Sequence, residues 1–204
     1  MKRVRRAEGP GYPVTFGGVR PAAATATVDR DRDDTTERVR MTAAATFTSI
    51  FREEHREVRD LLFDLIDAFR ARDLPRARSL LVQIANLTGP HFRYEEESLY
   101  PDLVDVFGAE YVEKLLADHD GAVRTARRLV ELAGKDTLQD AEVDEAVAGA
   151  RSILPHVSDC DGLSIMVERF PPERIAHILQ TRTDALAADV DLLTWARTIR
   201  QRAV

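Results

Sequence analysis

Four of the five histidines in this 204-residue chain, His55, His91, His119 and His156, recur one apiece in four successive helical stretches. Each falls where the apolar stripe of its stretch predicts an inward residue. In "HFRYEEESLYP", Glu95 follows His91 by four residues, about 40° round a helix and so on the same face. After His156 comes "VSDCDG". Asp159 at i+3 and Cys160 at i+4 stay near the histidine's face. Asp161 at i+5 stands about 140° away and needs a kink or a wide turn to point inward. Imidazole and carboxylate without a set of thiolates suit non-haem iron or a similar divalent ion. A single inward histidine is more often a hydrogen-bonded core residue. Four at one level, with a carboxylate among them, are costly to bury without a cation.

The elements that must carry these residues read as helices throughout. The first is predicted over residues 46 to 71, capped by Thr46 or Thr48, with Phe51, His55, Val58, Leu62, Leu65 and Phe69 at steps of three and four. "RDLP" turns the chain, and Pro75 suits the opening turn of a second helix over 75 to 99, which Pro90 should kink. "YPDLVDVFG" reads as a connector. A third helix is predicted over 109 to 133, a fourth over 138 to 169 with a bend or restart at Pro155, and a fifth over 172 to 201 after "FPP". No strand pattern or long repeat is evident. His55 and His91 lie roughly 18 and 16 residues from their shared turn, about 25 Å along each helix, so an up-down bundle sets them at one level. The fold expected is all-α: an antiparallel up-down four-helix bundle over residues 45–170, an extra C-terminal helix over 171–204 and a disordered N-terminal arm over 1–44.

That arm has Gly, Pro, Thr and Arg/Asp runs without a sustained period. Met41 opens "MTAAATFTSIF", which reads as a start of translation, with the first 40 residues as an upstream extension. The arm carries a net charge of +3 and leaves −9 on the rest, within a total of −6. An acidic main domain makes a poor nucleic-acid binder. No apolar run approaches the roughly 20 residues that span a bilayer. Cys160 is the single cysteine, so no internal disulfide forms and a cytoplasmic setting is expected.

At these residues the chain resembles the hemerythrin/HHE cation-binding family. The resemblance runs from about residue 47 to 170 and is carried by "EEHREV", "HFRYEEESLYP", "DHDGAV" and "HVSDCDG". It implies a four-helix bundle around two non-haem iron ions. His55 and His91 would ligate one iron, His119 and His156 the other. Glu95 would bridge them, and Asp161 matches the second bridging carboxylate, with Asp159 as the alternative. Oxygen-carrying hemerythrins have a second histidine four residues after the third-helix ligand; here Val123 stands there. One iron then lacks a protein ligand and keeps an exchangeable position, which favours sensing, storage or peroxide and NO chemistry over simple oxygen carriage.

The function expected is a di-iron protein binding O2, NO or peroxide. A di-iron enzyme (an oxidase, or one that decomposes peroxide) and a metal-free helical interaction protein are the alternatives. Tyr94 and Tyr100 flank the second-helix motif and are expected to pack or to hydrogen-bond groups behind the ligands. Cys160 is expected to be buried and apolar, with a thiolate at the metal as the sharper reading. Glu53, Glu54, Glu96 and Glu97 are expected on solvated faces, although one could orient a ligand histidine. His177 is expected outside the site, and Trp195 is expected to dock the fifth helix. The oligomeric state is left open.

Overall fold

Thr42 sets the start of the first helix. Its hydroxyl accepts from the Ala45 amide at 3.1 Å, so α1 runs over Ala43–Arg70, a turn earlier than the cap predicted at Thr46 or Thr48. The structure, a computed structural model, describes residues 42–202. The predicted arm over residues 1–44 and the Met41 start fall outside the described residues, except that Ala43 and Ala44 already belong to α1. Asp73 caps α2 (Leu74–Tyr94) through the Arg76 amide, and Pro75 lies in its first turn as expected.

The second predicted helix does not stay regular to its end. Residues Glu95–Leu99 form a π-helical turn in which the Tyr100 amide donates to the Glu95 carbonyl. The predicted connector is itself a helix, α3 (Tyr100–Phe107), because Pro101 needs no amide partner in a first turn. Gly108, at φ 84°, makes the left-handed corner into α4 (Ala109–Ala133). A reciprocal cap between Gln139 and Glu142 opens α5 (Asp140–Leu163). This helix passes through Pro155 without interruption but stops before residue 169; a 3-10 turn follows over Met166–Arg169. The predicted fifth helix is two, α6 (Pro172–Ala188) and α7 (Leu192–Thr198). Asp189 takes a left-handed conformation at φ 50°, and the Asp191 carboxylate caps α7 by accepting from the Leu193 and Thr194 amides.

Among the described residues the fold is all-α. α1 packs on α2 and α5, and α4 packs on α5 and α2, which closes the four-helix ring. α6 lies against α2 and α1; α7 lies against α2 and α4. Two apolar clusters fill the bundle. One holds Leu62, Leu65, Phe69, Leu80 and Leu132; the other holds Phe51, Tyr94, Leu103, Leu115 and Leu163. His55 touches both: Phe51 of the second lies against its ring, and Val58 and Leu62 of the first line a cavity with it. A third cluster, of Phe92, Val123, Leu192 and Trp195, seals α7 to the bundle, so Trp195 docks as expected.

Leu65 is fully buried in the first cluster, away from every histidine. Leu65→Ala should cost about 2–5 kcal/mol, the usual result of a core leucine truncation. Urea unfolding with an unchanged slope and a lowered midpoint would show it.

Candidate metal centre

His55, His91, His119 and His156 are all buried, at 5%, 4%, 0% and 8% exposure. They stand as two edge-on pairs. The His55 and His91 rings are 4.6 Å apart, and the His119 and His156 rings 4.8 Å apart. Phe92 stacks flat on His119 at 3.7 Å and fixes that ring. Between the pairs lies Glu95, fully enclosed. Its Oε1 is 3.4 Å from His91 Nε2 and its Oε2 is 3.1 Å from His119 Nε2. Neither oxygen has a correctly directed hydrogen bond. Two groups of donors result, His55–His91–Glu95 and Glu95–His119–His156, with the donor atoms of each within 4.8 Å of one another. Glu95 belongs to both.

The backs of the rings are held. His55 Nδ1 lies 2.8 Å from the Phe51 carbonyl, His91 Nδ1 lies 2.8 Å from Glu54 Oε2, and His119 Nδ1 lies 2.8 Å from Glu96 Oε1. An acceptor at Nδ1 places a proton there, and Nε2 of His91 and of His119 is the atom that faces Glu95. His156 has the looser support of Asp118 Oδ2 at 3.7 Å.

Glu54 and Glu96 overturn the expectation of solvated acids. Glu54 is 8% exposed, and its Oε2 also accepts from the Tyr94 hydroxyl at 2.8 Å. The Glu96 side chain is 10% exposed. Glu53 and Glu97 do lie on the surface. The sequence offered a weak signal for Glu54, one residue ahead of a histidine. Its partner is across the bundle on α2, however, and not beside it on α1. Tyr100 is a second surprise. Nine residues after His91, a regular helix would place it about 180° away. The wider π-turn removes part of that rotation, and the Tyr100 hydroxyl reaches 3.0 Å from His119 Nε2.

Electrostatics follow from this crowding. Burial favours the neutral form of Glu54, but hydrogen bonding from His91, the charges of His91 and Arg182, and the Tyr94 hydroxyl outweigh it and hold the carboxyl near about 2. Burial and the neighbouring charge of His91 push His55 down to about 4; burial and His119 do the same to His156. His91 goes the other way, up to about 10, because Glu95 and Glu54 overcome its burial. Glu95 stays well below the usual carboxylate range: burial opposes ionisation, but the two imidazoles beside it prevail. Without a cation, a buried carboxylate thus draws its counter-charge from histidine protons.

The remaining sequence candidates are placed less centrally. Asp159 and Asp161 belong to neither donor group. Asp159 has a half-exposed side chain directed at Lys114, 3.6 Å away. Asp161 is also half-exposed and lies at the groove lined by Arg52 and His55; its Oδ1 has no directed hydrogen bond but sits 3.9 Å from Arg52 Nε. Cys160 is buried, 3.5 Å from His156 Nε2 and 3.7 Å from the Tyr100 hydroxyl, and burial raises its thiol. Tyr94 acts behind His91 through Glu54. His177 is exposed on α6. Val123, fully buried, packs in the cluster with Phe92 and Trp195.

Two histidine pairs about one buried carboxylate inside a helical bundle form two groups that could each hold a metal ion. Residues 46–161, more than half of the chain, match the Hemerythrin HHE cation binding domain. The chain belongs to that family. No curated protein and no solved structure matches it significantly. Among the described residues, no helix is long and apolar enough to cross a membrane.

Proposed function

We propose that this protein holds a non-haem di-iron centre that binds O2, NO or peroxide, in stress response, sensing or iron handling. The observation that carries this reading is Glu95. A fully buried carboxylate whose two oxygens face the Nε2 atoms of His91 and His119, with no directed hydrogen bond to either, is costly unless cations lie between them. The donors fit: imidazole and carboxylate suit iron, and each imidazole has its back occupied or supported. His55 and His91 would hold one ion, His119 and His156 the other, with Glu95 shared. Asp161 is taken as the further carboxylate on the family resemblance; it lies beside the His55 groove, its Oδ1 3.9 Å from Arg52 Nε. When bound, the irons supply redox chemistry and an open position for a small ligand.

The chain's own residues shape that position. A small cavity of about 40 Å³ lies against His55, His91 and His156, with walls of Val58, Leu62, Phe92 and Ile153. That is room for a diatomic molecule or a peroxide; wider grooves of about 350 Å³ and 230 Å³ reach His55 and His156 from outside. The enclosed Glu95 weighs against a metal-free scaffold. Val123, in place of a histidine, leaves the His119–His156 side one nitrogen short.

Metal analysis of anaerobically purified protein tests the reading, with absorption spectra before and after air. About two irons per chain, with near-UV charge-transfer absorption developing in air, is the expected result. A protein that stays metal-free under iron loading overturns it. Asp161→Ala should lower iron content severalfold, while Asp159→Ala and His177→Ala should leave it unchanged. Equal content in all three would remove Asp161 from the site.

A further inference from the structure

The family match ends at residue 161, yet two arginines beyond it reach the centre from behind. Arg182, on α6, donates from Nε to Glu54 Oε1 at 2.7 Å, and Glu54 Oε2 holds His91. Arg200, just past α7, donates from Nε to Glu96 Oε2 at 2.9 Å and from Nη2 to Oε1 at 2.7 Å, and Glu96 holds His119. The two chains of contacts are parallel: arginine, glutamate, histidine, one for each histidine pair. The arginines are shielded, with side chains 23% and 1% exposed, so their charges are not screened as surface pairs are. Arg200 also pairs with Asp120 at 2.8 Å, and its guanidinium lies 5.5 Å over the Trp195 ring. Arg202 ties the same end to Asp120 and Glu113 of α4.

We propose that the C-terminal segment α6–α7 is a positioning clamp on the metal centre: Arg182 and Arg200 fix Glu54 and Glu96, which fix His91 and His119, so docking of the segment and occupancy of the site by cation are linked. This inference rests on the metal-centre reading above. Glu54 and Glu96 are carboxylates on helix faces that sequence alone reads as wet. What encloses and anchors them is the arginine of a segment more than a hundred residues away. Take the segment off and each glutamate regains water and rotamer freedom, and its histidine loses a fixed direction. Linkage makes the effect reciprocal: a cation that needs the ordered histidines favours the docked segment by the same factor. A partner or protease acting on α6–α7 would then loosen the cation without touching a ligand.

The test is release of Fe(II), loaded anaerobically, to a ferrous chelator, for the wild-type chain and for Arg182→Met, Arg200→Met, the double variant and Arg200→Lys. Each methionine variant should release iron about three- to tenfold faster, below the roughly 10–100-fold expected when a carboxylate behind a ligand is lost outright. The double variant should be faster still. Arg200→Lys should recover part of the effect, since lysine keeps the charge but not the two-pronged contact. A second readout uses the wild-type chain alone: amide hydrogen exchange in α6–α7 should slow on Fe(II) loading. Iron release within twofold of wild type in a folded double variant, or identical α6–α7 exchange with and without iron, overturns the clamp while leaving the metal site standing. A wild-type chain that takes up no iron overturns both together.

Discussion

Glu95→Ala empties both halves of the candidate site: iron content should fall more than tenfold while the far-UV circular dichroism of the bundle is kept. Glu95 belongs to both donor groups, with one oxygen toward each histidine pair, so a single truncation removes a ligand from each. The fold should survive because the two apolar clusters that fill the bundle do not include Glu95. Its carboxylate is fully buried and its oxygens lack directed hydrogen bonds. Without it, His91 loses one of the two carboxylates that raise it and keeps Glu54 at Nδ1. His91→Ala should lose iron too, through one pair directly. Glu97→Ala, two residues on and exposed in a pair with Arg93, is the control and should bind as wild type. Full iron content in Glu95→Ala would mean that the donor assignment is wrong.

Gly89→Ala should undo the docking of the C-terminal segment. A Cβ at Gly89 would come within 2.3 Å of the Val190 carbonyl oxygen and 2.7 Å of Asp191 C and Leu192 N. All three are backbone, so no rotamer change relieves the clash; the link between α6 and α7 has to move. The expected cost is about 2–3 kcal/mol, in the range for overpacking a close contact. Trp195 is the single tryptophan and is buried at 1% exposure in the cluster next to this link. Its emission should therefore shift to the red at the same substitution. The clamp inference adds a consequence: iron release should quicken although Gly89 touches no ligand. Unchanged emission together with an unchanged urea midpoint would show that the link yields freely.

Sequence alone fixed the main lines. Helical periodicity is local, so the apolar stripes marked the bundle helices and put His55, His91, His119 and His156 inward; the structure buries all four. The i+4 spacing of Glu95 from His91 is a property of one helix and needed nothing else. The family resemblance, read at 47 to 170, corresponds to the match over 46–161.

The rest depended on what packs against what. The π-turn at Glu95–Leu99 and the helix at Tyr100–Phe107 turn on hydrogen-bond registers that hydropathy does not encode. The break of the last helix had a local sign, Asp189 and Asp191 on either side of Val190, but the apolar pattern ran on through it. Asp159 was favoured by ideal helix geometry, yet its side chain goes to Lys114 beside the groove at His156, while that of Asp161 goes to Arg52 beside the groove at His55. Glu54 and Glu96 are the sharpest case. Each sits in an acidic run that any local window reads as solvated. Each is met from across the bundle by an arginine, Arg182 or Arg200, 128 and 104 residues further along the same chain. A residue's neighbours along the chain determine which way it points, and those across the bundle decide whether water is there when it does.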